Sequence, residues 1–190
     1  MDAADLARAV GVGADFLEGV VDRDWAVGVP GMDWTVAQTV AHVGNCLMWY
    51  AIDMAAGVGG LHTADVEVRP ATPPAELVAT LRTFGAVLGS VLATAPPDAR
   101  GWHPWGEADV AGFAAMGSIE SIVHAHDASR ALGVPFEPPA DLVAKVLRRL
   151  FPEAPVDTDP WQTLLWATGR QPLGDLARRG EWTWHSAPLP

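Results

Sequence analysis

The chain has 190 residues and carries 23 Asp and Glu against 12 Lys and Arg, a formal net charge of −11. That acidic balance, with no basic stripe, excludes an electrostatic nucleic-acid footprint. Hydrophobic residues make up 49% of the chain, enough to fill the core of one domain and too little length for a large second one.

The N-terminus, "MDAADLARAVGVGADF", opens with acids and lacks the basic region of a signal peptide. The spacing of Leu6, Val10, Leu17 and Val20 predicts a first helix over about 2–23, weakened at its middle by Gly11 and Gly13. After the turn-rich "GVPGMD", a second helix begins at Thr35, with Gln38 three positions on as a capping box, and stops at Gly57, Gly59 and Gly60. Pro70, Pro73 and Pro74 lead into a third helix over about 74–94, with a stripe of Leu77, Leu81, Phe84, Leu88 and Leu92. The loop "DARGWHPWGEAD" precedes a long fourth helix, about 110–132, stopped by Gly133. Shorter helices are expected over about 139–151 and 159–168. The end, "EWTWHSAPLP", reads as an extended segment laid on the body.

Almost no strand is expected. Four long helices with modest connections predict an all-α four-helix bundle, its core about 1–135 and a C-terminal appendage about 136–190, together one domain over 1–190. One cysteine, Cys46, permits no internal disulfide, and no apolar run stands out as membrane-spanning. A soluble, cytoplasmic protein with no membrane partner is the expectation.

The chemistry gathers in "SIESIVHAHDASRALG", residues 118–133. At about 100° per residue, Glu120 lies about 40° and Asp127 about 60° from His124, while His126 is swung about 200° away. Ile119, Ile122 and Val123 flank that polar face, so it suits the bundle interior. On the second helix His42 sits within a mixed polar face that includes Gln38, Asn45, Cys46 and Trp49. If the two faces meet, two imidazoles and a carboxylate converge. Buried charges are costly, and a divalent cation stabilises such a set. Two His and one carboxylate serve in catalytic zinc and non-heme iron sites, and Asp127 is placed to hold a ligand histidine in orientation. The plainer alternative is a satisfied core histidine with solvated acids.

Other residues stay open. Cys46 is a soft ligand, a reactive thiol or a small buried residue. His126 reads as a packing or surface histidine. Trp102, His103 and Trp105 wall a pocket or form a hydrophobic lid. Arg170 grips a substrate carboxylate or satisfies carbonyls at a helix end.

"PGMDWTVAQTVAHVG", "IESIVHAHDASRALGVP" and "LLWATGRQPLG" resemble, in this order, segments of the DinB-like superfamily, and more narrowly of the mycothiol-dependent maleylpyruvate isomerase N-terminal family. The resemblance implies an up-down-down-up bundle with a divalent metal between helices, commonly zinc, held by His42, Glu120 and His124. Nickel, iron and manganese are compatible with the ligand set. It further implies a mycothiol-like thiol as co-substrate, ionised beside the metal and delivered to a small electrophilic substrate, giving S-transfer or isomerisation, with Asp127 orienting a ligand and Arg170 gripping an anionic group. The isomerases proper carry a separate C-terminal domain, whereas some 55 residues follow the fourth helix here, so strict maleylpyruvate isomerase activity is not expected. Metal-dependent hydrolase or lyase chemistry, or a non-catalytic metal- or ligand-binding bundle that dimerises through exposed Trp, are the alternatives.

Overall fold

The computed structural model describes residues 1–189. Four long helices, α1 (Ala3–Glu18), α2 (Val36–Ala56), α3 (Pro74–Thr94) and α4 (Val110–Leu132), are followed by α5 (Ala140–Leu150) and α6 (Pro160–Ala167). A two-residue hairpin of β1 (Arg100–Gly101) and β2 (Ala108–Asp109) leads into α4.

Local chemistry sets most boundaries. Asp2 caps α1 by accepting from the amides of Ala4 and Asp5. Thr35 and Gln38 form the reciprocal capping box that starts α2. Asp109 caps α4 through the Gly112 amide, and Gly133, in the left-handed region at φ 69°, ends it. The first helix ends five residues earlier than its periodicity suggests. It closes at Gly19, and Val20 and Trp25 enter the core from the following turns, where the Trp25 indole donates to the Val20 carbonyl. Helical spacing and turn burial look alike over so short a run.

In the bundle, α1 packs on α3 and α4, and α2 packs on α3 and α4, so α1 and α2 stand across a diagonal. The helices come together on small residues. A Cβ on Gly13 of α1 would lie 2.8 Å from the Ser121 carbonyl oxygen of α4, a contact only glycine tolerates. One apolar cluster runs from Leu6 and Leu17 through Leu47, Leu88, Phe113 and Ile122 to Leu142, Phe151 and Trp161. The all-α expectation stands, and the hairpin is a small addition to it.

The third helix corrects one expectation. At 21 residues α3 is long and apolar enough, by length and composition, to cross a bilayer. Here it buries Leu77, Leu81, Leu88 and Leu92 against its neighbours, and its Arg82 pairs with Asp15 and Glu18 of α1. The apolarity builds one wall of a bundle.

The tail after α6 is laid on the body by one buried side chain. Arg149 of α5, 5% exposed, donates to the Asp109 carboxylate and to the carbonyls of His185 and Ser186. The Leu150 carbonyl accepts from the His185 amide, and Trp184 is buried between these ties.

Candidate metal centre

The polar faces of α2 and α4 meet. His42 Nε2 stands 3.5 Å, and His124 Nε2 3.2 Å, from the same oxygen of Glu120, Oε2. Among the described residues, His42, Glu120 and His124 offer one ligand atom each, all within 4.8 Å of one another. The two imidazoles meet edge to face at 5.2 Å between ring centres, and Trp34 lies against the outer side of His42 at 4.8 Å.

Glu120 is the centre of this arrangement and is 8% exposed. Its Oε1 accepts from the Tyr50 hydroxyl at 3.2 Å, whereas its Oε2 is buried and makes no hydrogen bond, with the two imidazole Nε2 atoms as its nearest polar neighbours. A buried carboxylate oxygen left unpaired is rare and costly. Facing two imidazole nitrogens, it has the chemistry of a metal ligand. The donor set therefore fits a divalent cation. Burial alone would raise the Glu120 pKa, yet the two histidines beside it hold it below the ordinary carboxylate range.

Behind His124 the arrangement continues. Its Nδ1 lies 2.9 Å from Asp127 Oδ2, and Arg170 donates to both oxygens of Asp127, from Nη2 at 2.7 Å and from Nε at 3.3 Å. Burial would lower the His124 pKa, but Asp127 and Glu120 outweigh it and raise it to about 9. The metal-free site thus holds a proton that a cation must displace. Asp127 is 2% exposed and is held below the ordinary range by His124 and Arg170 against its burial. Arg170 also donates to the Thr168 carbonyl at 2.8 Å. Both roles weighed from the sequence, a carboxylate grip and a carbonyl cap at a helix end, coexist in this one side chain, although the carboxylate it grips is the protein's own.

A cavity of about 450 Å³ opens over the three ligand atoms. His103 and Trp105 from the hairpin, Met32 and Trp34 from the loop before α2, and Trp182 and Trp184 from the tail wall it. Trp105 packs on Trp184 at 4.4 Å and His103 on Trp184 at 5.5 Å. Trp102 turns instead into a neighbouring pocket with His62 and Asp53. Cys46 Sγ approaches His42 Nε2 to 3.4 Å but is not among the converging ligand atoms. Burial first, then the Glu120 carboxylate, pushes its thiol pKa up. His126 packs edge-on to Trp161 at 5.4 Å, away from the site.

Sequence reasoning missed Tyr50 and the tail tryptophans as parts of this site. Tyr50 carried a readable signal, since eight residues after His42 it lies about 80° round the same helix. Trp182 and Trp184 carried none, because an irregular tail has no periodicity to project.

A helical bundle that gathers two histidines and a glutamate between its second and fourth helices defines a protein of the DinB-like class. The chain belongs to the mycothiol maleylpyruvate isomerase N-terminal domain family, whose sequence profile matches residues 6–129. No curated protein and no solved structure matches the chain significantly.

Proposed function

We propose that this protein is a metal-dependent enzyme that uses a low-molecular-weight thiol of the mycothiol kind for S-transfer to, or isomerisation of, a small electrophilic substrate. The observation that carries the reading is Glu120 Oε2, buried without a hydrogen bond, facing two imidazole nitrogens in the wall of a cavity. Family membership supports the link to metal and thiol. His42, Glu120 and His124 would hold a divalent cation, zinc by preference, whose positive charge would lower the pKa of a thiol brought beside it.

The chain's own residues divide the remaining work. Tyr50 fixes the Glu120 carboxylate through Oε1, leaving Oε2 for the cation. Asp127 holds His124 by its Nδ1 so that Nε2 points at the centre. Arg170 locks Asp127 and, with three of its N–H groups engaged, keeps two to meet an anionic substrate group at the cavity wall. The tryptophan wall puts apolar surface beside the cavity, which strengthens charge interactions next to it. Cys46 contributes no atom to the converging ligand set, which favours a thiol brought in as co-substrate over one from the chain.

The test is elemental analysis of untagged protein beside His42→Ala and Glu120→Ala, followed by thiol-transfer assays on the loaded protein. About one divalent ion per chain, lost from both variants, is expected. A folded protein that takes up no ion under any loading condition would sink the proposal.

A further inference from the structure

Next to the metal cavity, and sharing Met32, Thr168, Arg170 and Trp182 with it, lies a second pocket of about 410 Å³. Four arginines, Arg130, Arg170, Arg178 and Arg179, line it, against one acidic residue, Asp127. The whole chain has 12 basic side chains and a net charge of −11. One third of its positive charge is therefore gathered around a single hollow of an acidic molecule, where the like charges repel.

The protein compensates that repulsion only in part. Asp127 is consumed between His124 and Arg170. Glu153 reaches Arg179 at 3.7 Å, and Arg179 also lies over the Trp166 ring. Arg130 and Arg178 have no ion pair among the described residues, and Arg178 places its Nε on the Gly169 carbonyl, which leaves its terminal nitrogens free. The hollow is also built by the backbone. Gly169 stands at φ 69°, and a Cβ there would lie 2.8 Å from the Arg179 carbonyl oxygen. Only glycine lets the segment that carries Arg178 and Arg179 fold back against the end of α6.

We propose that this pocket is an oxyanion subsite, taking a carboxylate or phosphoryl group on a small molecule. Guanidinium forks match both groups by paired N–H donation, and several of them around one hollow favour a ligand of more than one negative charge. Arg170, present in both linings, makes the subsite continuous with the metal cavity. The subsite stands on its own lining and does not depend on the metal.

The test titrates the full-length protein with inorganic phosphate and, separately, with succinate, at constant ionic strength set with chloride. Binding is read by calorimetry and by intrinsic tryptophan fluorescence, to which Trp182 on the shared wall contributes, and metal content is measured in parallel. Saturable binding of one anion per chain is expected, weakened about tenfold or more in Arg178→Gln/Arg179→Gln. Arg130→Gln, on a different element, provides the same test should the double variant fail to fold. Binding of phosphate alone assigns a phosphoryl group, and binding of succinate alone or of both assigns a carboxylate-accepting site. No saturation by either anion, or affinity unchanged in folded Arg178→Gln/Arg179→Gln and Arg130→Gln, overturns the subsite. Anion binding by protein that takes up no metal under any loading condition would leave the subsite standing while the metal reading fell.

Discussion

At the scale of single residues, an unpaired oxygen on Glu120 and a fully engaged carboxylate on Asp127 lie two helical turns apart. In the proposed metal centre a cation would stabilise the first, and the second positions the imidazole that would bind it. Asp127→Asn keeps the shape but loses the charge that pairs with His124 and Arg170. It is expected to lower metal affinity by about 10–100-fold, measured by chelator competition, with the helical circular-dichroism spectrum retained. A different carboxylate titrates without being part of that network. Asp53 is buried, and its burial, opposed only by His62, raises its pKa from 3.8 to about 6. The folded state thus prefers its protonated form. The stability this contributes is present below pH 3.8 and is lost as the pH rises through about 6. Asp53→Asn should therefore stabilise the protein by about 1–2 kcal/mol at pH 8 and by almost nothing at pH 4, read from denaturant midpoints. Equal gains at both pH values would contradict this account.

At the scale of helices, the separation of α1 from α4 governs where Glu120 sits, because Gly13 presses on the residue next to it, Ser121. Two glycines on the same helix provide a controlled comparison. Nothing lies within 4 Å of a Cβ built on Gly11, so Gly11→Ala should stabilise the protein by about 0.5–1 kcal/mol through helix propensity. At Gly13 the added methyl meets backbone that cannot rotate away, so Gly13→Ala should destabilise by about 1–3 kcal/mol despite the same propensity gain. Thermal unfolding of the two variants, run side by side, decides it. The capping box of α2 was readable directly, since it is a contact within three residues. The end of α1 was not, because burial of Val20 and Trp25 by the following turns imitates helical periodicity.

At the scale of the whole molecule, Arg149 connects the tail to the bundle and thereby closes the tryptophan wall of the cavity. Arg149→Gln should destabilise by about 2–4 kcal/mol, since the Asp109 carboxylate and two tail carbonyls lose a shared donor. It should also free Trp184, seen as a red-shifted fluorescence and faster acrylamide quenching. An unchanged emission spectrum would detach the tail from the site.

What the sequence by itself determined is what local geometry carries. A turn of about 100° per residue put Glu120, His124 and Asp127 on one face of α4, and His42 on a polar face of α2. Capping residues and glycines set most helix ends. The resemblance carried by three segments of the chain led to the family that residues 6–129 match. Only the tertiary structure decided which groups from distant segments converge. Tyr50 on Glu120, Arg170 on Asp127, the tail tryptophans over the cavity and the four arginines around one hollow all depend on irregular backbone returning to the bundle. Such segments have no repeat from which a direction can be projected. Their course is set by long-range contacts, such as Arg149 with the tail and Gly169 with Arg179, that form only when the chain is folded.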